Sequence, residues 1–165
     1  MCGQDGRCSG GGQLKIYLAA RYSRQAELNG YRADLEAVGH VVTSRWLLGF
    51  HQITDEGLSV QAKEEERTRF AMEDFSDVMD ADVLIAFTEE PRSSNSRGGR
   101  HVELGVALGT GKAVVIVGPA ENVFCCLPVV SRYDTWVEFR SDLDRWWDVN
   151  GNGEEAAAAI TAVAM

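Results

Sequence analysis

Short apolar runs recur along the chain at intervals long enough to hold a helix between them: LKIYLAA (14–20), DVLIAF (82–87) and AVVIV (113–117). A strand with one wet face alternates apolar and polar residues, whereas a strand covered on both faces reads as a continuous apolar run. The pattern therefore predicts an α/β domain, a parallel sheet with helices on both faces. Ser23 caps a helix running to Val38 and stopping at Gly39, HVVTSR (40–45) is the second strand, and 46–58 is a loop. A long charged helix spans 59–80, EEPRSSNSRGG (89–99) is a flexible connection, and a helix follows over 99–108. GPAENVFCCLP is a loop or short turn, VVSRY (129–133) an edge strand, and TWVEFRSDLDRWW (135–147) a closing amphipathic helix in which Trp146 and Trp147 are packing residues. Five parallel strands in a flavodoxin/Rossmann-like three-layer domain, in the order 2-1-3-4-5, are the expected topology. Residues 13–148 form the domain, flanked by a glycine-rich tail over 1–12 and a frayed tail over 149–165, with no internal repeat.

Charge narrows the partners. Among 165 residues, 25 acids against 16 bases give a formal charge of -9, which argues against a general affinity for nucleic acid polymers or anionic membranes. Any phosphate must be gripped locally. The sequence holds no apolar run near the ~20 residues needed to span a bilayer and no basic-then-apolar leader, so the expected compartment is the cytoplasm. Cys2, Cys8, Cys125 and Cys126 lack zinc-ligand spacing and read as reduced thiols. No acid stands with a His or Cys at ligand spacing, so neither metal nor cofactor is expected.

In a doubly wound sheet, ligands lie beyond the carboxyl ends of the strands, near the point where the strand order reverses. Three segments end there: LAARYS, FTEEPRSSNSRGGRHVE and VGPAENVF. The second supplies Arg92, Arg97, Arg100 and the pair Gly98 and Gly99 before opening a helix whose free N–H groups favour an anion. It reads either as a cradle for a phosphate or 5'-hydroxyl or as a solvated Arg/Ser loop; it is neither a Walker loop nor GxGxxG. Glu103 is a lone carboxylate in the first turn of an otherwise apolar helix, RHVELGVALG. Such an acid, kept ionised by the helix N-terminus, suits a nucleophile, although an ion pair with a nearby Arg or a cap of its own helix would also account for it.

On the 59–80 helix, turning each residue by about 100° about the axis gathers Thr68, Ala71, Met72, Phe75, Val78 and Met79 into one apolar stripe. Asp74 falls on its edge, between Val78 and Ala81, while Glu66, Glu73, Asp77 and Asp80 group opposite. Asp74 is thus either a second catalytic acid or a satisfied structural one. Tyr17, at the end of the first strand, reaches the same crevice or packs in the core. A buried nucleophilic carboxylate, a second acid able to deliver a proton and an anion cradle together fit cleavage of a glycosidic bond through an oxocarbenium-like transition state.

Three segments, KIYLA (15–19), MEDF (72–75) before ADVLIAF (81–87), and GGRHVELGVALGTGK (98–112), resemble the nucleoside 2-deoxyribosyltransferases and the related 2'-deoxynucleoside 5'-phosphate N-hydrolases. The likeness covers 14 to about 137, and its last segment is the most specific. The resemblance implies that Glu103 takes the sugar at its anomeric carbon and that Asp74 contacts and protonates the leaving base. It implies that Tyr17 orients the nucleophile near the sugar's 2' side and that Tyr22 offers an aromatic surface to the base. Asn122 and Phe124 would be donated to a neighbouring subunit's site, making the protein a homodimer or higher homo-oligomer with shared sites. His101 stands where many members have glycine, and Ala19, Ala20 and Arg21 follow the first strand where members have small or glycine residues. Side-chain contacts from Arg21, Arg97, Arg100 or His101 would then replace close backbone approach at the substrate's 5' end. The implied reaction cleaves the N-glycosidic bond of a 2'-deoxynucleoside or its 5'-monophosphate through a covalent glycosyl-Glu103 and passes the sugar to another base. Transfer to water, or a nucleotide-sensing module that binds without turnover, are the alternatives.

Overall fold

β1 (Lys15–Ala19), β3 (Val83–Phe87) and β4 (Ala113–Val117) form the centre of the sheet because nearly every side chain they carry is apolar and can be covered on either face. All five residues of β3 and of β4 are buried, as are Ile16 to Ala19 of β1. This computed structural model describes residues 12–49, 59–91 and 98–150. With β2 (Val41–Val42) and β5 (Val130–Tyr133) at the edges, the described strands make a five-stranded parallel sheet in the order β2-β1-β3-β4-β5. Ile16 is level with Val83, Val83 with Ala113, and Val114 with Val130, so the carboxyl ends of β1, β3 and β4 open on one crest. The expected fold class and strand order are those observed.

α1 (Gln25–Ala37) and α4 (Trp136–Asn150) cover one face, joined through Tyr31 stacked on Trp136 at 4.6 Å and Phe87 beneath them. α1 ends in a Schellman motif at Gly39 (φ 96°), with His40 N donating to Leu35 O at 3.1 Å and Gly39 N to Glu36 O at 3.0 Å. Its start differs from expectation. Ser23 lies inside a 3-10 turn, Tyr22–Arg24, whose Arg24 N donates to Arg21 O at 2.9 Å, so that turn replaces a serine cap. α4 opens on a capping box: Glu138 Oε2 accepts from Thr135 N at 3.0 Å, and Thr135 Oγ1 from Glu138 N at 3.3 Å. It buries Trp136, Phe139, Leu143 and Trp146 along one stripe, with Trp146 Nε1 donating to Ser131 Oγ at 2.7 Å, and it continues past 148 to Asn150.

β2 is shorter than the expected 40–45 strand. Thr43 and Ser44 turn their side chains onto β1, and Arg45–Leu48 winds into a 3-10 turn. The loop expected over 46–58 falls mostly on residues 50–58, outside the described residues.

α2 (Val60–Asp80) and α3 (Gly99–Gly109) cover the other face and pack against each other. Ser59 caps α2, its hydroxyl accepting from Ala62 N at 3.1 Å. The rotation of α2 corrects the sequence reading. Of the expected stripe only Val78 is buried; Met72, Phe75 and Met79 are 69%, 55% and 40% exposed. Asp77, expected on the solvent side, is 6% exposed. The edge carrying Asp77, Val78 and Ala81 faces inward instead, and there Asp77 accepts from both Arg45 N (2.9 Å) and Arg45 Nε (2.7 Å).

Candidate active site

β1 delivers Tyr17 to the α2–α3 side. It is the third of the five β1 residues rather than a strand-end residue, and its long side chain, wholly buried, donates its hydroxyl to Glu103 Oε1 at 3.0 Å. Burial pushes the Tyr17 phenol well above its ordinary range, reinforced by the charges of Glu103 and Asp74, so it stays protonated and remains a donor.

Glu103 sits in the second turn of α3, not the first: the helix begins at Gly99, after Gly98 adopts the left-handed conformation (φ 83°) as N-cap. The field of a helix terminus fades within its first turn, so it does not hold this carboxylate ionised as the sequence reading expected. Loss of water is the largest influence, and the charge of Asp74 comes next; together they push the Glu103 carboxyl up to about 7, against the Tyr17 hydrogen bond and the Arg100 charge, which pull it down. As a residue Glu103 is only half-buried, but its carboxyl end is directed onto the fully buried Tyr17. Near neutral pH the group is poised between its two protonation states. The structure thus brings together the three residues assigned catalytic roles from the sequence, Glu103, Asp74 and Tyr17, on α3, α2 and β1.

Arg100, one turn before Glu103, is 3% exposed and paired with Glu121, which follows β4. Its Nε and Nη1 are buried with no hydrogen-bond partner among the described residues, and so is Glu121 Oε2. Arg100 is therefore not part of a solvated arginine loop. Unmatched buried donors at the start of a helix are suited to an anion. Gly98 and Gly99 form the turn before it; Arg92 and Arg97 lie outside the described residues.

On the crest, Arg21 pairs with Glu89 (Nε to Oε1, 3.3 Å), just past the ends of β1 and β3 where the strand order reverses. Ala19 is buried at the end of β1, and Tyr22 is half-buried, tilted against Trp46 with ring centroids 6.3 Å apart. His101 is exposed and its Nδ1 lies 3.3 Å from Asn122 Nδ2. Asn122 Oδ1 accepts from Phe124 N at 2.9 Å, capping a 3-10 turn (Val123–Cys126) that leaves Val123 and Phe124 exposed. Within this chain Asn122 is thus tied to the start of α3. Cys125 and Cys126 are free thiols, the first buried and the second exposed.

Sequence reasoning missed Asp77, Glu89 and Glu121. Asp77 and Asp74 are one helical turn apart, a spacing that places both on one side, but the apolar stripe pointed the other way. Glu89 and Glu121 each follow a strand ending at the crest, a position that could have marked them. Among the described residues no group of three or more His, Cys, Asp or Glu could hold a metal ion, and no helix is long and apolar enough to cross a membrane.

No family model matches the chain, and no curated protein matches it. Solved structures do. The fold is that of the 2-deoxyribosyltransferases: the chain is similar to 2-deoxyribosyltransferase from Bacillus psychrosaccharolyticus, with 19% identity over 76% of this chain and 90% of that one and a TM-score of 0.57. It is also similar to the CMP N-glycosidase of Clostridium botulinum, with 21% identity over 79% of this chain and 98% of that one and a TM-score of 0.48.

Proposed function

We propose that the protein is an enzyme that cleaves the N-glycosidic bond of a 2'-deoxynucleoside or its 5'-monophosphate and passes the sugar from Glu103 to another base. The observation that carries this reading is the buried contact of Tyr17 with Glu103, with Asp74 close enough to raise the carboxyl of Glu103. The fold shared with a 2-deoxyribosyltransferase supports it.

In the first step ionised Glu103 attacks C1' through the oxygen not bound to Tyr17. The C1'–N bond breaks, its electron pair goes to the base, and Asp74 supplies the proton that lets the base leave neutral. In the second step a ring nitrogen of another base attacks C1', the C1'–O bond to Glu103 breaks, and the proton of the incoming base returns to Asp74. Tyr17 holds Glu103 in register throughout. Two like charges in one water-poor site do not coexist easily, so the pair shares one proton, and the reaction draws on the form in which that proton is on Asp74 and Glu103 is charged.

The unmatched donors of Arg100 favour the 5'-monophosphate over the nucleoside, with Gly98 and Gly99 around the phosphate and His101 and Arg21 beside it. Ala19 and Tyr22 border the base side. Met72, Phe75 and Met79, three and four residues apart, leave an exposed apolar stripe on α2, and Val123 and Phe124 an exposed apolar turn after β4; both support a homo-oligomer in which Asn122 and Phe124 reach a neighbouring site. The cytoplasm is the compartment that keeps Cys125 and Cys126 reduced.

Incubation with deoxynucleosides and their monophosphates, with and without a second base, tests the reading. Exchanged nucleoside or nucleotide is the expected product. Free base alone means transfer to water; no product from any substrate contradicts both. Glu103→Ala separates an enzyme from a sensor, since it should abolish turnover and leave ligand binding in place.

A further inference from the structure

Residues 43–46 form a clamp between β1 and α2. On the β1 side they hold the residues flanking Tyr17: Thr43 N donates to Ile16 O at 2.9 Å, Ser44 Oγ accepts from Leu18 N at 2.6 Å, and Trp46 Nε1 donates to Leu18 O at 2.9 Å. On the α2 side, Thr43 Oγ1 donates to Asp77 O at 3.0 Å and Arg45 Nη2 to Glu73 O at 3.1 Å, while Arg45 N and Nε fill the two oxygens of the Asp77 carboxylate. Asp77 lies three residues after Asp74, about 60° around the axis and about 4.5 Å along it, so whatever fixes one carboxylate fixes the other.

α2 needs such a fixing. Burial of apolar area alone would turn Met72, Phe75 and Met79 toward the sheet, and all three are exposed. Because side chains end about 5–6 Å from a helix axis, a rotation of about 20° carries a carboxylate about 2 Å. A misplacement of about 1 Å is enough to cost a reaction about a hundredfold.

We infer that Arg45 and Asp77 are positioning residues: their contact sets the rotation of α2 so that Asp74, rather than the apolar row beside it, faces Tyr17 and Glu103. The inference deepens the proposed function and rests on it for its catalytic consequence. Neither residue touches the substrate. The groups that shift the Glu103 carboxyl are Asp74 from α2, Tyr17 from β1 and Arg100 from α3 itself, while the Asp77 charge acts on Tyr17. Asp77→Asn removes the charge and keeps the shape, so it separates a lost charge from a withdrawn Asp74.

The test follows the ionisation of Glu103 in the free protein by carboxyl carbon NMR, together with steady-state kinetics, in Asp77→Ala, Arg45→Ala, the double variant and Asp77→Asn. Removing either partner should lower the Glu103 midpoint by about one unit or more, as Asp74 moves off. It should reduce kcat at least tenfold with KM changed less than threefold, and the double variant should be no worse than either single one. Asp77→Asn, which keeps one acceptor and the shape, should restore most of kcat. Arg45→Ala removes a half-exposed side chain and serves if Asp77→Ala does not fold. An unmoved Glu103 midpoint in folded variants overturns the inference, even if kcat falls. Glu103→Gln assayed alongside separates the two claims: turnover by it defeats the proposed function, whereas the NMR midpoint judges the Arg45–Asp77 contact without any turnover.

Discussion

A carboxyl pushed up to about 7 by burial and a neighbouring acid is a group whose protonation controls both rate and stability. The midpoint at which Glu103 ionises, pushed up to about 7, reports its neighbours. Tyr17→Phe removes the hydrogen bond that favours the charged form and should move the midpoint up. Asp74→Asn removes the like charge and should move it down, while slowing base departure by about a hundredfold or more. Opposite shifts in the two carboxyl titrations, followed by carbon NMR, are the expected outcome; shifts of one sign contradict it. The stability consequence follows from the same raised value. Since Glu103 takes up its proton more readily folded than unfolded, its contribution to stability is complete below the ordinary 4.5 and is lost as pH rises through about 7. Glu103→Gln, which cannot ionise, should therefore melt above the wild type by about 3 °C or more at pH near 8, with little gain near pH 4. Melting curves at the two pH values decide this.

At the scale of elements, the loop after β4 depends on Gly118. With φ 121°, a Cβ there would lie 2.7 Å from Thr88 Oγ1 and 3.0 Å from Thr88 O. Gly118→Ala should cost about 2 kcal/mol or more in chemical denaturation and displace Glu121 and Asn122 from the start of α3, weakening substrate binding as well. A variant as stable as the wild type would show that the loop yields. The same elements show what a reader of the sequence can and cannot see. β3 and β4 were legible because five consecutive apolar side chains have only one comfortable environment. The start of α2 near 59 was legible from its long charged run, whereas the cap read at Ser23 was not, because a 3-10 turn takes its place. The rotation of α2 was not, because it is decided by Arg45, distant in sequence, gripping Asp77 against the pull of the apolar stripe. Glu103 was legible as an out-of-place acid, but its turn depended on where α3 begins. That start is set by the left-handed conformation of Gly98, which sequence leaves open between two adjacent glycines. Asp74 was read on the edge between Val78 and Ala81, and that edge faces inward, although Met72, Phe75 and Met79 of the stripe beside it are exposed.

At the scale of the whole molecule, the exposed Met72, Phe75 and Met79 on α2, the helix that carries Asp74, support the proposed assembly. Light scattering should give a dimer or larger species, and replacing Met72 and Phe75 by Glu should dissociate it and reduce turnover if neighbouring chains share sites; a monomeric wild type with full activity contradicts this. The two faces of the sheet divide the labour. The α1–α4 side is bonded through aromatic stacking and indole hydrogen bonds to Asp34 and Ser131, while the α2–α3 side holds charged groups away from water. The reaction proposed for that second side depends on a sugar becoming bonded to Glu103. Mixing the protein with a 2'-deoxynucleoside 5'-monophosphate, quenching in acid and mapping peptides by mass spectrometry measures that directly. The expected result is the mass of the deoxyribosyl phosphate on the peptide containing Glu103, discharged when a second base is added. Glycosidic cleavage that proceeds undiminished in Glu103→Ala, with no adduct on that peptide in the wild type, would contradict it.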